Sequence, residues 1–208
     1  MTKGEKLLAI LGIAAVGYYI YENYISGSGW ASSGDPLTDA ETTAQQAESQ
    51  VQAAVSGWKN AGSGPTWVPV LNQYEQQYGL PTDMLAALGF QESSFIENII
   101  RGLQASSAGA LGMMQLMPQY YSTLVGPSGA TAPYQDADVE AQIDAAANTL
   151  LTNYNSTNSW PLAIAAYNAG LGAVNNAGPG IPQNGQTPAY VAGILANAPA
   201  ANDGTVSV

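Results

Sequence analysis

The 208-residue sequence predicts an all-α domain carried behind a single membrane-spanning helix, and two observations carry that expectation. An uncharged apolar run lies near the N-terminus. The rest of the chain is cut by Gly, Pro and Asn into segments whose apolar residues recur at helical spacing, with no convincing strand-like alternation. The length leaves room for one well-buried domain plus appendages.

In order along the chain, the run from Leu7 to Tyr21 follows Lys3 and Lys6. Extended to Ile25 it reaches the lower limit of a bilayer span, about 17 residues. Tyr18, Tyr19, Tyr21 and Tyr24 gather at its end, where a helix would leave hydrocarbon for the interface. Basic residues before the run put the N-terminus inside and the bulk of the chain outside. A cleaved signal peptide shares this plan, but tyrosines and Glu22 make a poor cleavage region, which favours an anchor over residues 1–25.

Residues 26–36 (SGSGWASSGDP) read as a flexible linker. From 38 to 58, Ala40, Ala44, Ala47, Val51, Ala54, Val55 and Trp58 form a helical stripe that Thr38 could cap. Such a stripe suits a helix leaning on its own domain or a weakly ordered spacer, and also an oligomerising coil. Gly62 to Pro65 then mark a boundary, so that 26–64 is linker and the main domain runs from 65 to 198, with 199–208 as a flexible tail.

Within that domain the helices are expected at 68–78, 82–95, 114–125, 138–154, 161–167 and 188–196. Thr82 and Asp83 make a good helix start. The fourth segment carries Val139, Ile143, Ala146, Leu150 and Tyr154 on one face. Pro161 and Pro188 suit first-turn positions, where a missing N–H costs nothing.

Composition narrows the chemistry. Four basic against fifteen acidic residues give a formal charge of −11, and beyond the N-terminus only Lys59 and Arg101 are basic. Nucleic acid is therefore not expected as a partner. With no Cys and no His, thiolate nucleophiles, Ser-His triads and the usual zinc sites are gone, leaving carboxylates, hydroxyls, amides and Lys. Leu85, Leu88 and Glu92 fall at i, i+3 and i+7 on one helical face. A carboxyl on the core side of a helix is desolvated, which raises its pKa as a general acid requires. Spacing alone favours the plainer readings, a Glu92 turned to solvent or paired with Arg101.

Four motifs stand around it: Glu92-Ser93-Ser94-Phe95; the run from Ser106 through Gly109, Gly112, Gln115 and Met117 to Pro118; Ala166-Tyr167-Asn168-Ala169-Gly170; and Gln186-Thr187-Pro188-Ala189-Tyr190-Val191. In this order they resemble the lytic transglycosylase family, whose SLT domain is similar to goose-type lysozyme, over Pro65 to roughly Asn197. The resemblance implies a lysozyme-like fold, peptidoglycan strands as substrate, and no metal or cofactor. It implies that Glu92 is the single catalytic acid/base, protonating the oxygen between N-acetylmuramic acid and N-acetylglucosamine. The 2-acetamido group would stabilise the developing cation, and the C6 hydroxyl would close onto C1 to give a 1,6-anhydro product. One carboxylate then suffices where an ordinary glycosidase needs two.

On the same resemblance Ser106, Gly109, Gln115, Met117, Tyr167, Asn168 and Tyr190 bind substrate. The backbone at Gly109 and Gly112 can approach a sugar, Gln115 offers a donor and an acceptor, and Met117 faces an N-acetyl methyl. Tyr167 and Asn168 meet near Glu92, and Tyr190 closes the cleft floor. Met113 reads as core packing. The chain departs from the family in a longer stretch between Glu92 and Ser106 and in Gln186, where many members have Glu.

Two rivals follow. A hydrolase on the same fold would need a second carboxylate, for which Asp83, Glu97, Asp136 and Asp138 are candidates. A non-catalytic membrane-bound protein is the other. An anchor, a linker and one murein-cutting domain suit a local hole-maker on the outer side of a bacterial membrane, or in the membrane of a bacterial virus particle.

Overall fold

The computed structural model describes residues 57–178 and 180–206. The expected anchor at 7–25, the linker at 26–36 and nearly all of the 38–58 stripe lie outside the described residues. Among the described residues no helix is long and apolar enough to cross a membrane.

What is described is helical, without a strand. After a 3₁₀ turn at Trp58–Asn60 come α1 (Gly64–Tyr78), α2 (Met84–Ser93) and the single-turn α3 (Glu97–Ile100) and α4 (Pro118–Tyr121). The long α5 (Asp136–Thr157) is followed by α6 (Trp160–Ala169), α7 (Leu171–Asn176), α8 (Thr187–Asn197) and a last 3₁₀ turn at Pro199–Ala201. Helix α2 sits at the centre: α1 and α8 pack against it, α5 lies along α1 and α6, and α6 also meets α7 and α8. Leu71, Met84, Leu85, Leu88, Phe95, Met113, Ile143 and Leu150 are fully enclosed in one core.

Local chemistry explains where the helices start and stop. Pro65 opens α1, and Gly79, at φ 64°, closes it in the left-handed conformation that costs glycine nothing. Gln135 and Asp138 form a reciprocal capping box at the head of α5, so the helix begins ahead of the expected Asp138. Ser159 accepts from Leu162 N–H at 3.3 Å to cap α6. Pro161 and Pro188 each occupy the first turn of their helices, as the sequence predicts.

Three expectations are corrected. The segment 114–125 is not one helix. Leu111 and Leu116 pair as an antiparallel bridge around a turn in which Gly112 and Gln115 have φ of 77° and 47°, and only Pro118–Tyr121 is helical. Pro118 holds Met117 in the extended region and so stops a helix from running through. The core also starts ahead of residue 65: Trp58 is buried, with Phe90 and Phe95 against its ring at 5.6 and 6.4 Å. At the other end, 199–206 is packed rather than free. Ala201 is buried, Asp203 accepts from Trp160 N–H at 2.7 Å, and the Thr205 and Ser159 hydroxyls hydrogen-bond.

Two short helices went unpredicted. Helix α3 lies in the long stretch after Glu92, where Arg101 donates to Glu97, to Asp136 at 2.7 Å each, and to the Tyr134 carbonyl at 2.9 Å. Gly102 lies so close to the Tyr134 ring that a Cβ would stand 2.3 Å from it. This stretch is thus folded onto the start of α5.

Candidate active site

Glu92 stands in the last turn of α2. That helix is enclosed all round at Met84–Gly89 and reaches the surface only at Gln91, so the Leu85–Leu88–Glu92 face belongs to a helix buried on every side for its first six residues rather than to a surface helix with one core-facing stripe. Its far end is shaped by Ser93, whose hydroxyl donates to the Gly89 carbonyl at 2.8 Å and accepts from Phe95 N–H at 3.2 Å. Ser94 and Phe95 both take positive φ, which reverses the chain and drives the Phe95 ring into the core.

Burial dominates the electrostatics of Glu92. Enclosure pushes its carboxyl up to about 7, partly opposed by a hydrogen bond from Tyr190, whose hydroxyl donates to Oε1. The Tyr190 phenol is itself held well above its ordinary range, first by burial and then by the Glu92 and Tyr167 charges. Tyr167 is raised in the same direction, by burial first and then by the Glu92 charge. The three groups therefore form one electrostatic unit, carried by α2, α6 and α8.

Tyr167 does not bond to Glu92. Its hydroxyl donates to the Met114 carbonyl at 2.9 Å, pinning the 111–116 turn to α6. Gln115 follows Met114 in that turn, and its Nε2 donates back to the Gly112 carbonyl at 2.9 Å. The amide's donor side is thus partly used to hold the loop, and Oε1 is left as the acceptor it can offer. Met113 and Met114 are fully buried, as expected for Met113, whereas Met117 is half-buried at the head of α4.

The remaining expected residues have structural partners. Ser106 Oγ accepts from Ala110 N–H at 3.0 Å and its carbonyl accepts from Gly109 N–H at 2.9 Å, so Ser106 closes the turn that exposes Gly109. Open space surrounds the missing Gly109 side chain. Gly112 differs from the expectation: a Cβ there would stand 1.9 Å from Oε1 of Gln142, which is buried in α5. Its lack of a side chain serves packing against Gln142 rather than close approach of a sugar. Asn168 accepts from the Thr187 hydroxyl at 2.8 Å, tying α6 to α8, and no bond joins it to Glu92.

The four carboxylates weighed as a second catalytic group are all occupied elsewhere. Asp83 pairs with Lys59 at 2.6 Å, Glu97 and Asp136 with Arg101, and Asp138 caps α5. Among the described residues no carboxylate perturbs Glu92, whose ionisation responds to burial and Tyr190. The fold thus gathers one carboxyl, raised by burial and hydrogen-bonded by the Tyr190 phenol, with Tyr167, whose hydroxyl holds the 111–116 turn. Against this geometry, residues 69–184 match a family model described as Transglycosylase SLT domain.

Proposed function

The chain belongs to the transglycosylase SLT family, and from that membership we propose that Glu92 cuts the β-1,4 bond between N-acetylmuramic acid and N-acetylglucosamine without a water molecule. A carboxyl at about 7 is substantially protonated at neutral pH, which suits it to protonate the glycosidic oxygen as the C1–O bond breaks. The sugar's own 2-acetamido oxygen supports the positive charge at C1. Glu92, now a carboxylate, takes the proton from the C6 hydroxyl, whose oxygen bonds to C1. The proton is returned, and the product carries a 1,6-anhydro ring.

Tyr190 suits both halves of this cycle. Its hydrogen bond to Oε1 favours the carboxylate left after the first transfer, while burial favours the acid before it. One group therefore works on either side of a neutral balance point. The observation that favours this reading over a hydrolase is the engagement of Asp83, Glu97, Asp136 and Asp138 in other bonds, which leaves no second carboxylate beside Glu92 among the described residues.

For the setting, we propose a membrane-anchored enzyme facing the cell wall, either on a bacterial envelope or in the membrane of a virus particle, as a local hole-maker. The support is the apolar run at 7–25 and the absence of Cys for a lipid anchor. Release of the protein by detergent but not by salt, and its immunodetection in purified particles, test the two parts of that proposal. The activity itself is tested by a murein zymogram: clearing by the wild type and none by Glu92→Gln is expected, and no clearing by folded wild type would refute it.

A further inference from the structure

Helix α2 has no cap of its own. It is 10 residues long, and Asp83, the residue before it, sits at φ 65° with its side chain turned away to Lys59. Its head is satisfied from outside. Glu75 of α1, 3% exposed, accepts at Oε2 from Asp83 N–H at 2.8 Å and at Oε1 from Leu85 and Ala86 N–H at 2.8 and 3.0 Å. Both carboxylate oxygens are thus committed to three donors at one helix end, where the helix dipole also favours negative charge. Burying a carboxylate is costly, and a serine or aspartate cap would have satisfied a helix start more cheaply. What the remote carboxylate adds is a fixed link between the rotation and axial position of α2 and the framework helix α1.

We propose that Glu75 is the positioning residue of the catalytic helix, setting through α2 the depth at which Glu92 stands against Tyr190. The inference rests on Glu92 as the acid. A short rod held at its head by three bonds transmits any shift to its tail, and Glu92 lies in the last turn. A small displacement there admits water to the carboxyl, and because burial is the larger influence on its ionisation, the hydration gained outweighs any weakening of the bond from the phenol.

The test measures the ionisation of Glu92 by carboxyl ¹³C NMR and, separately, kcat and KM on murein fragments, in Glu75→Asp and Glu75→Gln. Asp keeps the charge but falls one methylene short of the donors; Gln keeps the length but turns one acceptor into a donor. Both are expected to lower the Glu92 pKa toward ordinary carboxylates and to reduce kcat about 10- to 100-fold, with KM little changed. Leu150→Ala, a core truncation in α5, serves as the stability control and is expected to leave the Glu92 pKa in place. A lowered pKa in Gln alone would reveal a through-space charge effect and overturn the proposal, as would wild-type ionisation in both variants. Should Glu75→Asp not fold, Glu75→Gln is compared with the similarly shaped Glu75→Met: both remove the same charge, so equal shifts of the Glu92 pKa would overturn the proposal, and a larger shift in Glu75→Met, which accepts none of the three bonds, is expected. If the variants show these ionisation changes while the folded wild type cuts no murein, the enzymatic reading is refuted and the positioning one stands.

Discussion

The Tyr190 hydroxyl donates to Glu92 Oε1 across 98 positions of sequence, joining the start of α8 to the end of α2. The bond opposes what burial does to the same carboxyl, so the acidity of Glu92 is a balance between a shell and a donor.

Removing the donor tips that balance. Tyr190→Phe is expected to raise the Glu92 pKa above about 7, because the lost bond favours the carboxylate. The alkaline limb of the pH–rate profile should move upward, and kcat should fall about 10- to 100-fold as the carboxylate formed in the first step loses its partner. A profile measured on soluble murein fragments checks both.

Stability should report the same ionisation. The folded-state pKa of Glu92 is raised, so the folded protein holds this proton more tightly than the unfolded chain does. The contribution is fully present below the ordinary carboxylate range and is lost as pH rises toward and through about 7. Glu92→Gln, which has no proton to lose, should match wild type near pH 4. At pH 8 it should be more stable by about 3 kcal/mol, the free energy equivalent of that shift. Denaturant unfolding of both proteins at the two pH values measures this.

Tyr167→Phe removes the bond to the Met114 carbonyl while leaving the ring in place. The expected loss of stability is about 1 kcal/mol. Because the 111–116 turn is then less firmly held beside Gln115, KM should rise more than kcat falls. Steady-state kinetics and thermal unfolding separate the two effects.

Gly112→Ala should destabilise the domain by about 2 kcal/mol or more, since the new methyl meets Gln142 and the backbone is at φ 77°. Adding Gln142→Ala removes the clash but not the backbone strain. The double variant is therefore expected to be more stable than the sum of the single effects by about 1 kcal/mol or more, in a thermodynamic cycle.

Helical spacing and punctuation made much of this legible. The 3.6-residue stripe of α5, the prolines opening α6 and α8, and the placement of Glu92 on a core-bound helix were all visible in local pattern. The 111–116 turn was missed because its Met and Leu residues look helical one by one, while Pro118 and the paired Gly112 and Gln115 conformations decide otherwise. The structural bonds of Asn168 and Ser106 were not legible for another reason. Their bonds to Thr187 and Ala110 depend on where the chain folds back, which spacing does not encode. Glu75 did leave a signal: it falls four residues after Leu71, on the same buried face as Trp67, Val68 and Leu71, where a carboxylate needs a reason. Its partners lie across a turn on α2, so only the fold supplies that reason.

In the proposed reaction a single carboxyl moves a proton out and back while the sugar closes on itself. Mass spectrometry of products from purified murein tests it most directly. Only 1,6-anhydro muramoyl ends are predicted, whereas reducing ends one water heavier would show that water, and a hydrolytic mechanism, had done the cutting.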